Sequence, residues 1–345
     1  MYIVLRNFLF LFDAELIHEF SVKAIKFICK IPYSKMVLRN LFVINNNILE
    51  RNLFGLKFKN PVGLAAGFDK NADCYNEFSN FGFGFIEIGT VTPLPQAGNP
   101  KKRIFRLTED KSIINRLGFN NKGLDEIIKN LKKERDIIIG ANIGKNVFTS
   151  NKDGHKDYLK CIQGLYDFVD YFAINISSPN TKNLREFHNK ELLKPLLENL
   201  IIFNNKQSSR KPILLKISPD LKKNQLDDII SIILELKIDG IIATNTSISR
   251  DGVKSIYKNE IGGLSGKLLN KKSNEIIFYL RKKLGDNYPI IGVGGIMKPE
   301  DALEKIKCGA DLVQLYTGFI YEGPTLIKRI NNLILDEELN KNYEK

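Results

Sequence analysis

The sequence contains few of the residues that hold metal ions or build disulfide frameworks. Its 345 residues include four cysteines and three histidines. The cysteines are far apart and form no CxxC pair: Cys29, Cys74, Cys161 and Cys308. Structural zinc and iron–sulfur sites need clustered Cys and His ligands. The sequence therefore predicts reduced thiols, no metal site and no disulfide framework, and it gives little support to a nucleophile–histidine relay.

Long uninterrupted apolar runs are also missing. Residues 2–12 are apolar, but Arg6 interrupts them and Asp13 ends them. A membrane-spanning helix needs about 20 apolar residues, and a secretory signal needs a basic start and a small-residue cleavage site. The sequence therefore predicts neither a transmembrane helix nor a signal peptide.

The charge is strongly positive, at +13, from 52 Lys and Arg against 39 Asp and Glu. Such an excess suits nucleic acid, an anionic membrane surface or an acidic substrate. However, the lysines are spread along predicted helix faces, as in residues 129–133, and no dense basic run is interleaved with aromatics. We therefore favour solvated helix faces with some membrane attraction, and expect no nucleic-acid partner.

The N-terminal region has helical periodicity. Apolar residues recur at helical spacing at Leu16, Ile17, Phe20, Ala24, Phe27, Ile28 and Ile31. Pro32 ends this helix, and the pattern of apolar residues over 34–42 predicts a shorter second helix. We expect a two-helix extension over residues 1–44 and one catalytic domain over residues 45–345. The helices either cap that domain or form an apolar funnel that admits a lipid-soluble partner.

From Pro61 onward, short β-rich runs alternate with helical patterns. The runs are nearly continuous apolar stretches, as expected for parallel strands covered on both faces. They span residues 61–66, 83–89, 137–143, 171–176, 212–217, 240–245, 289–294 and 311–316. Eight β–α units predict an α/β fold of the (β/α)8 TIM-barrel type, with a doubly wound sheet as the alternative. Two long connections, 90–121 and 176–190, follow strand ends, where barrel active sites lie.

Glycine-rich loops follow the last three predicted strands. They lie at residues 262–266 (GGLSG), 292–296 (GVGGI) and 316–319 (YTGF). Glycines let backbone N–H groups approach a phosphate, and barrels often hold phosphate after strands seven and eight. GVGGI is not a complete GxGxxG fingerprint and no such fingerprint opens the chain, which disfavours a nicotinamide-binding Rossmann unit.

Several motifs together resemble those of the dihydroorotate dehydrogenases. They are AAGFDK at 65–70, NRLGF at 115–119, NISSPNTKNLR at 175–185 and ATNT at 243–246, followed by the three glycine-rich loops. The resemblance covers nearly the whole chain, includes the helical extension and keeps the family's order. It implies oxidation of (S)-dihydroorotate to orotate, with electron transfer through FMN, in de novo pyrimidine (UMP) biosynthesis.

In that family FMN lies across the barrel mouth. The resemblance implies FMN contacts at Ala66, Gly67, Phe68, Asp69, Lys70, Thr90, Asn142, Asn175, Lys216, Thr244, Gly266, Gly295, Tyr316 and Thr317. A fixed cation at Lys216 would stabilise the negative charge of the reduced flavin. Lys216 lies in the apolar run PILLKI, where an unpaired ammonium would be costly.

The resemblance also implies a binding site for dihydroorotate and orotate. Its positions are Lys70, Asn115, Arg116, Leu117, Gly118, Phe119, Asn175, Asn180, Asn245 and Thr246. Asparagine amides both donate and accept hydrogen bonds, which suits the edge of a dihydropyrimidine. Arg116 is a candidate partner for the substrate carboxylate, through either its side chain or its backbone.

Ser178 occupies the position of the family's catalytic base, which removes a proton from C5 while a hydride leaves C6 for the flavin. Serine is a poor base and needs an outlet for the proton, for which Thr181 and a water chain are candidates. Cytosolic members typically have Cys at this position. Ser178 and the N-terminal helices therefore favour the quinone-using, membrane-associated class. This class implies a membrane quinone, peripheral contact at the cytoplasmic face of the cell membrane and no dedicated protein partner.

Two other functions remain open. A tRNA-modifying flavin reductase on a similar barrel would suit the charge, but it predicts a basic module after the barrel and a Cys in the active loop, where this chain has Ser178. A non-enzymatic flavin or membrane-surface binding protein would have no need for Ser178, Asn115 and Asn245 to converge beside the flavin.

Overall fold

The computed structural model describes residues 2–131 and 135–343 of the chain. Its strands, in chain order, are β1 (Arg51–Leu53), β2 (Leu56–Phe58), β3 (Val62–Leu64), β4 (Phe85–Val91), β5 (Ile104–Leu107), β6 (Ser112–Asn115), β7 (Ile138–Ile143), β8 (Tyr171–Asn175), β9 (Ile213–Ile217), β10 (Gly240–Ala243), β11 (Gly263–Gly266), β12 (Ile290–Val293) and β13 (Leu312–Leu315). Eight of them close a parallel barrel in the order β3-β4-β7-β8-β9-β10-β12-β13. The TIM-barrel prediction is confirmed, and the doubly wound alternative is wrong.

The helices form the outer layer of the barrel and the N-terminal extension. In chain order they are α1 (Tyr2–Leu9), α2 (Ala14–Ile28), α3 (Ser34–Phe42), α4 (Tyr75–Phe78), α5 (Leu124–Asn130), α6 (Gly154–Leu165), α7 (Lys190–Asn205), α8 (Lys223–Glu235), α9 (Asn270–Leu284), α10 (Pro299–Lys307), α11 (Thr317–Glu322) and α12 (Thr325–Tyr343). Helix α5 ends at Asn130, and residues 132–134 lie outside the described part. Apolar side chains between the barrel strands and these helices form the main core.

The described part of the N-terminal extension, residues 2–44, has three helices, so the prediction of two was one helix short. Arg6 looks like an interruption of the apolar run, but its guanidinium donates to the carbonyl of Tyr321 at 2.9 Å. The hydroxyl of Tyr2 donates to the carbonyl of Ile320 at 2.6 Å. Helix α1 is therefore held by carbonyl groups in the last turn of α11. Carbonyl groups in the last turn of a helix have no hydrogen-bond partner within that helix.

Helix α2 is fixed to the barrel at its first turn. Asp13 caps it, because its carboxylate accepts hydrogen bonds from the backbone N–H groups of Glu15 and Leu16. The Glu15 carboxylate also binds the guanidinium of buried Arg103, at 2.6 and 3.0 Å. Among the described residues, no helix is long and apolar enough to span a membrane. The division into residues 1–44 and 45–345 stays a prediction.

The interior of the barrel is closed at its amino-terminal end by the antiparallel hairpin β1–β2. Phe58 at the end of this hairpin is fully buried, and its ring meets the Phe85 ring edge-on at 5.2 Å. Tyr171 and Leu214 belong to the same buried cluster. This apolar plug leaves the carboxyl ends of the strands as the open end of the barrel.

A second antiparallel sheet, in the order β5-β6-β11, lies over the open end. It adds a hairpin to one predicted connection and corrects one predicted loop. The connection over 90–121 contains the β5–β6 hairpin, and GGLSG is mostly strand β11, paired with β6, so it is not a loop. Gly263 has no room for a side chain in this strand, because a Cβ atom would lie 1.9 Å from the oxygen of the Thr246 hydroxyl. The connection over 176–190 holds a 3-10 helix at Leu184–His188.

Candidate active site at the carboxyl ends of the barrel strands

A deep pocket opens at the carboxyl ends of the barrel strands, with the β5–β6–β11 sheet contributing part of its wall. Its volume is about 1000 Å³ including the open mouth. Most residues that the sequence predicted for cofactor or substrate line it. They are Ala66, Gly67, Lys70, Thr90, Asn115, Leu117, Gly118, Phe119, Asn175, Asn180, Lys216, Thr244, Asn245, Thr246, Gly266, Gly295, Tyr316 and Thr317, with Ser178 among them.

The floor of the pocket is built on a buried carboxylate. Glu87 of β4 is fully buried, and one of its oxygens accepts hydrogen bonds from the Lys216 ammonium at 3.0 Å and the Asn142 amide at 2.9 Å. The other accepts from the Gln314 amide at 2.8 Å and the Tyr171 hydroxyl at 3.3 Å. Lys216 and Gln314 line the pocket directly above. The ammonium that the sequence placed in an apolar run is therefore paired, as its burial requires.

A row of amides and hydroxyls continues this network along the strand ends. The side-chain oxygen of Asn142 accepts from the Thr90 hydroxyl at 2.5 Å and the Asn175 amide at 3.0 Å. The side-chain oxygen of Asn175 in turn lies 3.3 Å from the Asn245 amide nitrogen, which also donates to Ser177 at 3.0 Å. Each amide is held in one orientation because its partners use both its donor and acceptor atoms.

Ser178 lies on the connection after β8 and is almost fully buried. Its hydroxyl oxygen accepts a hydrogen bond from the backbone N–H of Asn180 at 3.2 Å. The Asn180 amide reaches across to the side-chain oxygen of Asn115 at 3.0 Å. Thr181 follows shortly after Ser178 in the sequence, and its hydroxyl is buried. This hydroxyl has no hydrogen-bond partner within residues 2–131 and 135–343.

Arg185 ties this connection to the one after β10. Its guanidinium donates to the carbonyl of Ser177 at 3.1 Å and to the carbonyl of Thr246 at 3.0 Å. An ion pair with Asp220, at 2.9 Å, fixes the third nitrogen. The rigid guanidinium fork therefore holds two pocket-lining segments at a constant separation.

Lys70 extends the pocket towards helix α2. Burial lowers the pKa of its ammonium to about 8, and the nearby Glu15 carboxylate opposes this shift. Burial likewise lowers the pKa of His18 on α2 to about 4, so this imidazole is neutral at pH 7. Its ring meets the Phe68 ring edge-on at 5.0 Å, and Phe68 meets the pocket-lining Tyr316 at 5.5 Å. An aromatic row thus leads from the N-terminal helices to the pocket.

Glycines form the part of the pocket that follows β12. Gly294 and Gly295 have φ values of 113° and 83°, which favour glycine. A Cβ atom on Gly295 would lie 2.2 Å from the Cα atom of Asn270. Gly294 and Gly295, called here the glycine cradle, therefore bring bare backbone to the pocket surface. Opposite them, the hydroxyls of Ser265 and Thr317 lie 2.8 Å apart.

Four predicted site residues, Phe68, Asp69, Arg116 and Asn142, do not line the pocket, and their contacts with cofactor or substrate stay predictions. Arg116 follows β6 with its side chain turned away from Asn115, as alternation along a strand requires. Its guanidinium lies 2.6 Å from the Glu260 carboxylate and stacks over the Phe105 ring at 4.6 Å. Its backbone N–H donates to the Arg103 carbonyl at 2.8 Å. Both groups therefore already have protein partners in this arrangement.

The other three support the pocket from behind. The Phe68 ring packs against the rings of Phe78 and Phe319 at 5.4 and 5.3 Å. The Asp69 carboxylate accepts from the backbone N–H groups of residues 73 and 74, although burial raises its pKa to about 6. Asn142 is fully buried between Glu87 and the pocket-lining side chains.

Sequence reasoning missed several residues of the site, among them Glu87, Gln314, Ser265, Leu269 and Met297. Glu87 left a signal, since it is the one charged residue in the apolar run FIEIG. A buried carboxylate needs a partner, and Lys216 sits in a similar run. The others left no comparable signal, because their place in the pocket depends on how distant segments meet.

This combination of a closed parallel barrel and a polar pocket at the carboxyl ends of its strands defines a TIM-barrel enzyme. The family model "Dihydroorotate dehydrogenase" matches residues 48–338. The chain belongs to the dihydroorotate dehydrogenase family.

Curated relatives agree over nearly the whole chain. "Dihydroorotate dehydrogenase (quinone)" of Christiangramia forsetii is 57% identical over 97% of this chain and 99% of its own length. The protein of that name from Pasteurella multocida is 47% identical over 96% and 98%. Among solved structures, that of DHODH from Eimeria tenella in complex with ferulenol has a TM-score of 0.85 and 36% identity, covering 95% of this chain and 92% of that one.

We predict that Glu87→Gln destabilises the protein by about 3–5 kcal/mol, because it leaves the Lys216 ammonium buried without its counter-charge. The measurement is the free energy of unfolding in urea for the flavin-free protein. Glu126→Gln is the control, since the Glu126–Lys129 pair is exposed and its loss costs about 0.5 kcal/mol or less. Equal stabilities of the two variants would show that the Glu87–Lys216 pair does not hold the floor together.

Proposed function

We propose that this protein oxidises (S)-dihydroorotate to orotate in de novo pyrimidine biosynthesis and passes the electrons through FMN to a membrane quinone. The observation that carries the proposal is the convergence of Ser178, Lys70 and the amides of Asn115, Asn180 and Asn245 in one pocket of a dihydroorotate dehydrogenase family member. The curated relatives carry the name dihydroorotate dehydrogenase (quinone), which supports quinone as the electron acceptor.

The residues of the pocket fit FMN. The side-chain oxygen of Gln314 is buried at the pocket and has no hydrogen-bond partner in the described part of the chain, so it can accept from a ring N–H. The glycine cradle lines the pocket, and glycine backbone N–H groups can approach a phosphate closely. Lys216 places a fixed positive charge in the floor, held by Glu87. When bound, FMN would supply hydride acceptance and electron transfer to the second substrate.

We assign the remaining FMN contacts to the pocket residues that the sequence motifs indicate. These are Ala66, Gly67, Lys70, Thr90, Asn175, Thr244, Gly266, Gly295, Tyr316 and Thr317. Asn142 supports Thr90 and Asn175 from behind and makes no direct contact in this proposal.

The substrate is held by amides and one cation. Asn115, Asn180 and Asn245 present fixed donors and acceptors to the N–H and C=O groups of the dihydropyrimidine ring. The Lys70 ammonium offsets the charge of the substrate carboxylate. Leu117, Gly118, Phe119 and Thr246 complete the wall and limit the access of water.

Ser178 removes the proton from C5 of dihydroorotate. Its buried position keeps bulk water away, so the proton must leave through the protein. The Thr181 hydroxyl is the nearest group in sequence with unused hydrogen-bonding capacity. We therefore assign Thr181, with a water chain, to the relay of this proton.

The N-terminal helices supply the access route for quinone in this proposal. They expose a large set of apolar side chains: Ile3, Val4, Leu5, Phe8, Leu11, Phe12, Leu16, Phe20, Phe27, Ile28, Ile31, Met36, Val37 and Leu41. Val22 and Ile25 instead pack on the barrel core, so α2 has apolar residues on two faces. The exposed set suits peripheral contact with the cytoplasmic face of the cell membrane, and Lys23, Lys26 and Lys30 suit its anionic lipids.

Ser178→Ala should lower turnover about 10²- to 10⁴-fold while FMN stays bound, because only the base is lost. The test is anaerobic mixing of FMN-loaded protein with dihydroorotate while flavin absorbance is followed. Native protein and the exposed control Ser150→Ala should bleach rapidly, and colour should return with a quinone but not with NAD. If native, FMN-loaded protein does not bleach, dihydroorotate is not its substrate. Rapid bleaching of Ser178→Ala would refute only the role of Ser178 as the base.

Orotate binding should weaken as pH rises through about 8. The pKa of Lys70 is depressed to about 8, so its charge is present below that pH and lost above it. The dissociation constant of orotate, followed by the flavin spectrum, should rise by up to about tenfold per pH unit above the pKa. Lys70→Arg keeps its charge throughout and should flatten the profile. An unchanged profile in Lys70→Arg would assign the pH dependence to another group.

Leu16→Glu combined with Phe20→Glu should separate the two half-reactions. Both side chains are about 60% exposed, so the folded structure tolerates the change, whereas membrane insertion does not. Binding to phosphatidylethanolamine–phosphatidylglycerol vesicles and turnover with a vesicle-borne quinone should fall about tenfold or more. Reduction by dihydroorotate should be unaffected. Phe278→Glu, on an equally exposed residue of α9, is the control; equal vesicle binding by both proteins would contradict the assignment.

A further inference from the structure

A lysine lies buried behind the glycine cradle. Lys305 of α10 has no exposed surface. Its aliphatic chain packs on strand β12, where a Cβ atom on Gly292 would lie 2.7 Å from its Cδ atom. Its ammonium donates to the Ser273 hydroxyl at 3.1 Å and to the side-chain oxygen of Asn274 at 2.5 Å. Both partners lie in the first turns of α9.

These partners of Lys305 are neutral. The ammonium forms no ion pair within residues 2–131 and 135–343, whereas the buried cations Lys216 and Arg103 bind carboxylates. Burial lowers the pKa of Lys305 to about 8. An ammonium held only by neutral groups in the interior is costly, unless an anion compensates it.

The ionisable groups around Lys305 do not supply that anion. On its own helix, the Asp301 carboxylate accepts from the backbone N–H groups of residues 297 and 298 at the helix start. The other two ionisable groups near Lys305 on this part of the chain are the Glu304 carboxylate and the Cys308 thiol. From the neighbouring helices, Arg281 of α9 pairs with Asp311 at 2.8 Å, and Glu337 of α12 pairs with Lys307 at 3.1 Å.

Two chains of hydrogen bonds connect Lys305 to the glycine cradle. Ser273 donates to the carbonyl of Val293 at 2.7 Å, the residue directly before the cradle. Asn274 donates to Asn270 at 2.9 Å, and Asn270 donates to the carbonyl of Gly295 at 3.3 Å. Because N–H and C=O groups of a trans peptide point in opposite directions, the N–H that follows Gly295 points away from Asn270. The charge of Lys305 therefore lies directly behind backbone that is open to the pocket.

We propose that Lys305 is a positioning residue for the phosphate of FMN: its buried charge, relayed through Ser273 and Asn274, stabilises a phosphate at the glycine cradle. The inference rests on the proposed FMN site. The positive charge favours a dianionic phosphate because the intervening protein screens it less than water does. Lys305 touches neither the flavin ring nor the substrate in this arrangement, so it acts on the phosphate alone.

The test compares FMN with riboflavin, which lacks the phosphate. Both are titrated into the flavin-free full-length protein while flavin fluorescence is followed. Lys305→Met should weaken FMN binding by about tenfold or more and leave riboflavin binding within about twofold. The ³¹P NMR signal of bound FMN should also move relative to native protein. Lys145→Met is the matched control, since Lys145 is 2% exposed and its ammonium binds the Thr149 carbonyl at 2.8 Å, away from the pocket.

Each outcome decides the question. Unchanged FMN binding, or an equal loss of FMN and riboflavin binding, would overturn the role of Lys305 and leave the proposed function standing. Native protein that binds neither flavin would instead refute the proposed function. If Lys305→Met and Lys305→Gln both fail to fold, the ¹³Cε NMR titration of Lys305 in native protein decides: its pKa should rise with FMN but not with riboflavin, and an equal response to both would overturn the proposal.

Discussion

The buried Glu87 carboxylate is the constraint on which the site depends. Its two oxygens accept hydrogen bonds from side chains on β7, β8, β9 and β13, so one residue of β4 links five of the eight barrel strands. Because the carboxylate is fully buried, these bonds replace the hydration that it has lost. The same bonds orient Lys216 and Gln314 towards the pocket and, through Asn142, the hydroxyl of Thr90 and the amide of Asn175.

The two faces of the N-terminal extension have different physical roles. Polar contacts hold it to the barrel: Tyr2 and Arg6 bind carbonyls of α11, and Glu15 binds Arg103. These contacts leave the large apolar side chains of α1, α2 and α3 facing outwards. Packing of Val22 and Ile25 on the barrel core adds to these polar contacts. The remaining apolar side chains are exposed and suit a lipid interface, because burial in lipid stabilises the side chains that the fold leaves in water.

Predictions succeeded where local sequence sets the structure, and they failed where contacts between distant residues set it. The barrel strands were predictable because parallel strands covered on both faces read as apolar runs. Helix α1 was missed because the carbonyls that bind Arg6 lie more than 300 residues away in sequence. The strand at Gly263–Gly266 was taken for a loop, since its pairing with Ser112–Asn115 is not visible in its own composition. Arg116 was assigned to the substrate, but strand alternation and Glu260 turn it away.

The barrel, its eight strands and the motifs at their carboxyl ends were predictable from the sequence alone, because periodicity and glycine spacing are local properties. Which charges meet depends on the tertiary structure. Glu87 with Lys216, Arg185 with Asp220 and Lys305 with its neutral partners all join residues from separate elements. Burial then sets the energetic weight of each contact, since a charge that is cheap in water becomes costly in the interior, and burial follows from packing and not from residue type.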